Sequence, residues 1–355
     1  MKKLNRQSAI ELLRITAMLG IITLHYNNGR ALVYVQDENN IKKYILYFLE
    51  SMNICAVNLF VLISAYFLCC TQKRRIRKVI ELIIQVMVFN EIYYIIQVIL
   101  GNDELSVRSI AGNLVPSNYY VILYSALYII SPYLNMVFKG WNKKEWNKFI
   151  ITIVCLFSVY PILVDLSGEI LNKEWFGLST VGAWGNQQGF TITNFVLIYF
   201  IGAYIRFNNM KINKRKNFIM ILVVIFIILA WSIFNDHTKH FGSRSAWCYH
   251  NPFVIALAVL VFLLFYDVCF YSKYINELAK AAFTCYLFHG YVLKELNIDK
   301  IVASSWCIML MHLVFCVIAI YILSYFIYQL YTFCSDAIMR KIEKIINKVR
   351  LGKEL

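Results

Sequence analysis

The stretch AIELLRITAMLGIITLHYNN, residues 9–28, decides how this chain is read. A hydrocarbon core roughly 30 Å thick takes about 20 apolar residues of helix to cross, and this stretch has that length. Yet it carries Arg14 and His25. At about 100° per residue, the interval from Arg14 to His25 is about three turns plus roughly 20°, so both project from one face, about 16 Å apart along the axis. Glu11, one turn before Arg14, lies on nearly the same side and can pair with the guanidinium. Ionisable groups inside a membrane are costly and mark functional positions by default. The competing reading has Arg14 snorkelling to the interface and His25 capping the far end of its helix.

The rest of the chain sets this helix among others of its kind. Of 355 residues, 60% are hydrophobic and 15% charged, and the mean hydropathy is +0.60, too apolar for a soluble domain. Apolar runs recur near 9–27, 45–70, 79–100, 118–138, 148–166, 190–206, 217–235, 252–270, 280–294 and 303–334, the ninth being short. They are continuously apolar rather than alternating, which predicts helices and not a barrel. The expectation is an all-α polytopic membrane protein of about ten transmembrane helices, with no internal repeat.

The net charge of +15 reports topology rather than nucleic acid. Lys73, Arg74, Arg75, Arg77 and Lys78 form one basic loop. Lys139, Lys143, Lys144 and Lys148 form a second, and Arg206, Lys211, Lys214, Arg215 and Lys216 a third. All three fall on the same side, which by the positive-inside rule puts both termini in the cytoplasm and the chain in the plasma or inner membrane, its basic surface against anionic lipid. The N-terminal segment has signal-like flanks but no small-residue cleavage site, so it is expected to be retained. A membrane domain over 1–335 is followed by DAIMRKIEKIINKVR (336–350), whose isoleucines recur at helical spacing opposite basic residues. It reads as an amphipathic cytoplasmic tail, 336–355.

Two loops predicted on the other side are unusual. Residues 167–190 carry five glycines with Trp175, Trp184 and the amides Asn186, Gln187 and Gln188. Residues 235–251 carry His237, His240, His250 and Trp247. The tryptophans can be interfacial anchors or a platform for sugar rings. The three histidines lack a carboxylate or thiolate cluster beyond Asp236, and no metal is predicted. All ten cysteines except Cys248 fall in predicted helices and read as packing residues.

Depth can be compared between helices that enter from known sides. Glu91 in VFNEIYY, His289 in CYLFHG and His312 in LMHLVF reach the midplane or slightly beyond, in the same half as His25. Ionisable groups on separate helices at one depth predict a polar pocket, with satisfied packing roles as the bland alternative. Histidine suits proton transfer at neutral pH. His25 is the best base available to deprotonate a hydroxyl, or to accept an acyl group, if a thioester arrives from the opposite side.

Four segments in order resemble the acyltransferase family 3 membrane proteins. They are the Arg-x10-His of IELLRITAMLGIITLH, then AVNLFVLISAYFL (56–68), YYVILYSALYIISPYLN (119–135) and AAFTCYLFHG (281–290). The resemblance implies a membrane O-acyltransferase that moves acetyl from acetyl-CoA onto a surface or lipid-linked carbohydrate. It implies His25 as catalytic histidine, Arg14 as its partner and His289 as the histidine of the ninth helix. Arg74 and Arg77, flanked by Lys73 and Arg75, would be the Arg-x-x-Arg that holds CoA phosphates. Ala65 stands where the family usually has glycine. Without a fused extracytoplasmic domain, the membrane domain or a separate partner would have to complete the transfer. The rival class is a transporter or flippase, for which intramembrane charges and a cavity would look similar.

Overall fold

The computed structural model describes residues 7–35, 40–173, 175, 177–182, 187–210, 212–238 and 245–351, with backbone only for Gln187 and for 336–351. Every regular element among them is helical. The main helices are α1 (Ser8–Tyr26), α2 (Ile41–Asn53), α3 (Ala56–Leu68), α4 (Ile76–Ile99), α5 (Tyr119–Val137), α6 (Lys143–Val154), α7 (Tyr160–Leu171), α8 (Ile192–Asn208), α9 (Lys214–His237), α10 (Pro252–Phe265), α11 (Ala282–Lys294) and α12 (Trp306–Leu351). A π-helical turn, Cys155–Val159, joins α6 to α7.

Polar caps set where the helices begin. The side chains of Asn40, Asn118, Asn142, Asn213 and Asn251 each accept from backbone N–H groups of the following turn, satisfying donors that the first turn leaves without intrahelical partners. At Asn142 the bond is reciprocated by Glu145, a capping box. This cap starts α6 at Lys143, earlier than the apolar run at 148 suggests.

The apolar pattern is inverted relative to a soluble protein. Ile80, Ile84, Ile92, Ile95 and Ile99 form an exposed stripe along α4, and Phe218, Leu222 and Phe226 do the same on α9. In water such faces would aggregate; against lipid they are the solvated surface. Among the described residues eight helical stretches are long and apolar enough to cross a membrane, and α8 is a shorter apolar helix. This is an all-α, multi-pass membrane protein. Two of the ten expected spans fall short of a crossing by length, α8 at 17 residues and α11 at 13. The expected second span is interrupted by a turn at Ile54–Cys55, between α2 and α3. From 336 to 351 the backbone continues α12 without a break.

Helix α1 is the hub, packed on α2, α3, α11 and α12. A Cβ on Gly20 would stand 2.9 Å from Asn53 Oδ1 and 3.3 Å from the Ala56 methyl, so α1 lies close against the α2–α3 junction. Because α3 then runs back antiparallel to α1, its end at Leu68 comes to the end of the bundle where α1 begins. Ala65 is fully buried, and its methyl would lie 2.6 Å from a Cβ built on Gly202 of α8. Ala65 thus faces a glycine on the neighbouring helix, the small-on-small contact that lets membrane helices approach. At the far end of α2, a buried ion pair joins Lys43 Nζ to Asp236 Oδ2 of α9 at 2.6 Å.

Gly202→Ala should overpack this contact at a cost of about 1–3 kcal/mol and lower the melting temperature in detergent. Adding Ala65→Gly should restore most of it. A double variant no more stable than Gly202→Ala would show that the close approach lies elsewhere.

Candidate active site

His25 occupies the last turn of α1, and the chain breaks immediately after it. Asn28 leaves the helical region (φ −76°, ψ 124°) and Gly29 takes φ +74°, a conformation that strains any residue with a Cβ. Arg30 then turns back, its Nη1 donating to the His25 carbonyl at 2.8 Å. The next two residues are fixed in the protein. Tyr26 is fully buried, with its hydroxyl 2.9 Å from His312 Nδ1. Asn27 Nδ2 donates to Leu46 O at 3.2 Å and to Glu50 Oε2 at 3.3 Å. Held by these neighbours, the His25 ring is left exposed.

What the ring faces is His289. Their ring centroids are 4.7 Å apart with planes at 88°. His289 is buried, and its Nδ1 lies 3.0 Å from the Cys285 carbonyl one turn earlier in α11. A carbonyl only accepts, so Nδ1 carries the proton and Nε2 keeps its lone pair. That Nε2 is buried and makes no hydrogen bond among the described residues. Two imidazoles therefore lie edge to face, one accessible and one holding an uncommitted acceptor.

His25 opens into a cavity of about 190 Å³, room for a few waters or one small ring. Aromatic walls come from Tyr119, Phe190, Trp247 and Tyr249, and polar groups from Asn28, Glu50 and Gln188. The wall is braced from behind: Tyr249 N donates to Gln188 O at 2.9 Å and Asn58 Nδ2 to Tyr249 O at 2.7 Å. Trp247 Nε1 is buried without a hydrogen-bond partner among the described residues, while Glu50 presents a buried carboxylate. Such a site can move a proton from a bound hydroxyl, and its rings can pack against an apolar or sugar face. Sequence reasoning passed over Glu50, Tyr119 and Tyr249. The available signal for Glu50 was an acid inside the apolar run at 45–70.

The other candidate residues are distributed around the bundle. Arg14 Nη1 pairs with Glu11 Oε2 at 2.7 Å, the partner its spacing suggested, and lies half-buried on α1 outside the cavity lining. Glu91 on α4 is half-buried, its Oε1 buried and without a hydrogen bond among the described residues, and it does not line the cavity either. Trp175 packs beside Gly168 with Lys173 Nζ 5.6 Å from its ring. Trp184, Asn186 and His240 lie outside the described residues.

Arg74 has a different setting from its basic neighbours. Pro132 in α5 has no N–H to give the Tyr128 carbonyl. Arg74 Nε donates there at 3.2 Å, as it does to Ser131 Oγ at 2.7 Å. Its Nη2 donates to Leu68 O at 3.0 Å and its Nη1 to Thr71 O at 3.0 Å, capping the end of α3. Lys73, Arg75 and Arg77 are exposed, Arg77 in a surface pair with Glu81 at 2.7 Å. Arg74 and Lys78 both stand over the Tyr128 ring, at 5.4 and 5.2 Å.

A family model described as an acyltransferase domain matches residues 7–329, nearly the whole chain. The chain belongs to acyltransferase family 3. No curated protein and no solved structure matches it. As a membrane acyltransferase it must bring an acyl carbonyl and a nucleophile together, and the His25–His289 pair at the cavity has the chemistry for that step.

Two contrasts follow for this acyltransferase. His25→Ala should insert and fold normally yet lose transfer by about 10²-fold or more, the scale of general-base catalysis. Wild-type transfer by a folded His25→Ala protein would remove His25 from the chemistry. Arg74→Lys cannot reproduce the forked hydrogen bonds of the guanidinium and should lower the melting temperature, whereas Arg77→Gln, at an exposed pair worth little, should not.

Proposed function

We propose that the protein is an O-acetyltransferase that moves acetyl from cytoplasmic acetyl-CoA onto a hydroxyl of a surface or lipid-linked polysaccharide. The observation that carries the reading is the accessible His25 ring, 4.7 Å from His289, at the wall of an aromatic, amide-bearing cavity. His25 takes the proton of the acceptor hydroxyl. The oxygen attacks the thioester carbonyl carbon, the carbon–sulfur bond breaks, and the proton passes to the departing thiolate. An acetyl-histidine formed first, then attacked by the hydroxyl, gives the same products.

The two substrates reach this point from opposite ends. In this reading both termini and the basic loops are cytoplasmic, in the plasma membrane. Exposed Lys73, Arg75, Arg77 and Lys78 supply charge for CoA phosphates, while Arg74, its donors committed to carbonyls and hydroxyls, shapes the loop that presents them. Arg14 and Glu11 lie on α1 between that end and His25, where Arg14 organises the donor's path. Tyr119, Trp247 and Tyr249 offer faces for a sugar ring, with Glu50, Asn28 and Gln188 to bond its hydroxyls. Trp175 and Trp184, both in the 167–190 stretch of the sequence, would be further contacts for the acceptor.

Mass spectrometry of surface glycan from cells with and without the gene is expected to show loss of one acetyl per modified unit. Acetylation unchanged without the gene would overturn the acceptor class. In membranes, Arg77→Gln combined with Lys73→Gln should raise the acetyl-CoA concentration needed for half-maximal transfer, more so at low salt. An unchanged concentration dependence would leave the loop as a topology signal only.

A further inference from the structure

The segment Ser245–Asn251 has two faces. Trp247 and Tyr249 line the cavity. Cys248 and His250 turn the other way, toward α7, where they meet Asp165. Ligand-capable atoms of Asp165, Cys248 and His250 all lie within 4.8 Å of one another. Four residues along α7, hence on the same face, Glu169 brings a second carboxylate that interacts electrostatically with both Asp165 and Cys248.

His250 makes this cluster more than a chance grouping. Its side chain is 1% exposed, yet neither Nδ1 nor Nε2 has a hydrogen-bond partner among the described residues. A neutral imidazole has one donor and one acceptor, and leaving both unmet in the interior is costly. Hydrogen bonds hold the backbone around it. Ser158 Oγ donates to His250 O at 2.6 Å, Asn251 N to Cys248 O at 2.9 Å, and Asn251 Nδ2 to Ser245 O at 3.0 Å. The orphaned ring is thus held in place, with a thiol and a carboxylate beside it.

We propose that Asp165, Cys248 and His250, completed by Glu169, bind a divalent cation of the zinc class. Sulfur, imidazole nitrogen and carboxylate oxygen are the donors zinc takes, whereas magnesium and calcium select oxygen alone. Tetrahedral zinc, with bonds of about 2.0–2.3 Å, needs donor atoms roughly 3.5 Å apart. Side chains already within 4.8 Å of one another reach that by small rotations. The cation would pin the 245–251 segment to α7 and so hold Trp247 and Tyr249 in the cavity wall. This is a structural site. It stands independently of which acyl group or acceptor the enzyme uses.

The test is metal analysis of the full-length protein purified in detergent, with zinc and cobalt as probes. About one zinc per chain is expected to persist through gel filtration, and cobalt should give thiolate charge-transfer absorption. Chelation should lower the melting temperature, and zinc but not magnesium should restore it. Cys248→Ser and Asp165→Asn should each weaken zinc binding by about 100-fold or more. Should those variants fail to accumulate, His250→Cys, which keeps a ligand, is expected to retain the cation with added thiolate absorption. A wild-type protein that holds no zinc, takes none up and is indifferent to chelator overturns the proposal. So does zinc content that Cys248→Ser leaves unchanged.

Discussion

The structure depends on where α1 stops. As a hub it must run unbroken through the bundle, and as the carrier of His25 it must end where the cavity begins. The break at Asn28–Gly29 achieves this, with the Arg30 guanidinium taking up the His25 carbonyl. A helix break leaves backbone carbonyls without intrahelical partners, and here the Arg30 guanidinium takes one of them. The burial of Tyr26 and Asn27 against α12 and α2 then leaves His25 facing the opening. Continued helix here would rotate Asn28 away from the cavity wall it now lines.

The same rule explains features that otherwise look like functional charge. Arg74 answers the gap made by Pro132 and the end of α3. His312 answers the buried hydroxyl of Tyr26, and Asn135 Nδ2 reaches the carbonyls of Leu68 and Thr71. Each is a polar group whose partner is a backbone or side-chain atom stranded in an apolar setting. Some buried polar atoms have no such partner among the described residues. Trp247 Nε1 belongs to the cavity wall, His289 Nε2 to the ring packed against His25, and the nitrogens of His250 lie on the far face of the same wall.

A wall with chemistry on both sides has a mechanical consequence. Residues 247 and 249 face the cavity while 248 and 250 face α7, so one short segment joins the packing of α7 to the cavity wall. The bonds from Asn58 and Ser158 to the carbonyls of Tyr249 and His250 fix this segment from two directions. Rigid support of this kind keeps the cavity wall fixed relative to the His25–His289 pair.

The sequence by itself determined the helical membrane class, the family and the shared helix of Arg14 and His25. Each of these is local: hydrophobic length, helical periodicity and residue spacing need no distant partner to be read. His289 was legible as a buried ionisable residue for the same reason. Only the tertiary structure decided that α11 brings His289 against His25, that Glu50 enters the cavity, and that Asp165 of α7 meets Cys248 and His250. It also separated Arg74 from its exposed neighbours, and interrupted the run at 45–70 where α1 packs through Gly20. The physical reason is that a helix presents several faces at equal local cost. Which of them meets a neighbour is settled by packing between segments far apart in the chain, through close contacts such as Gly20 on Ala56 and Gly202 on Ala65, and periodicity carries no record of that choice.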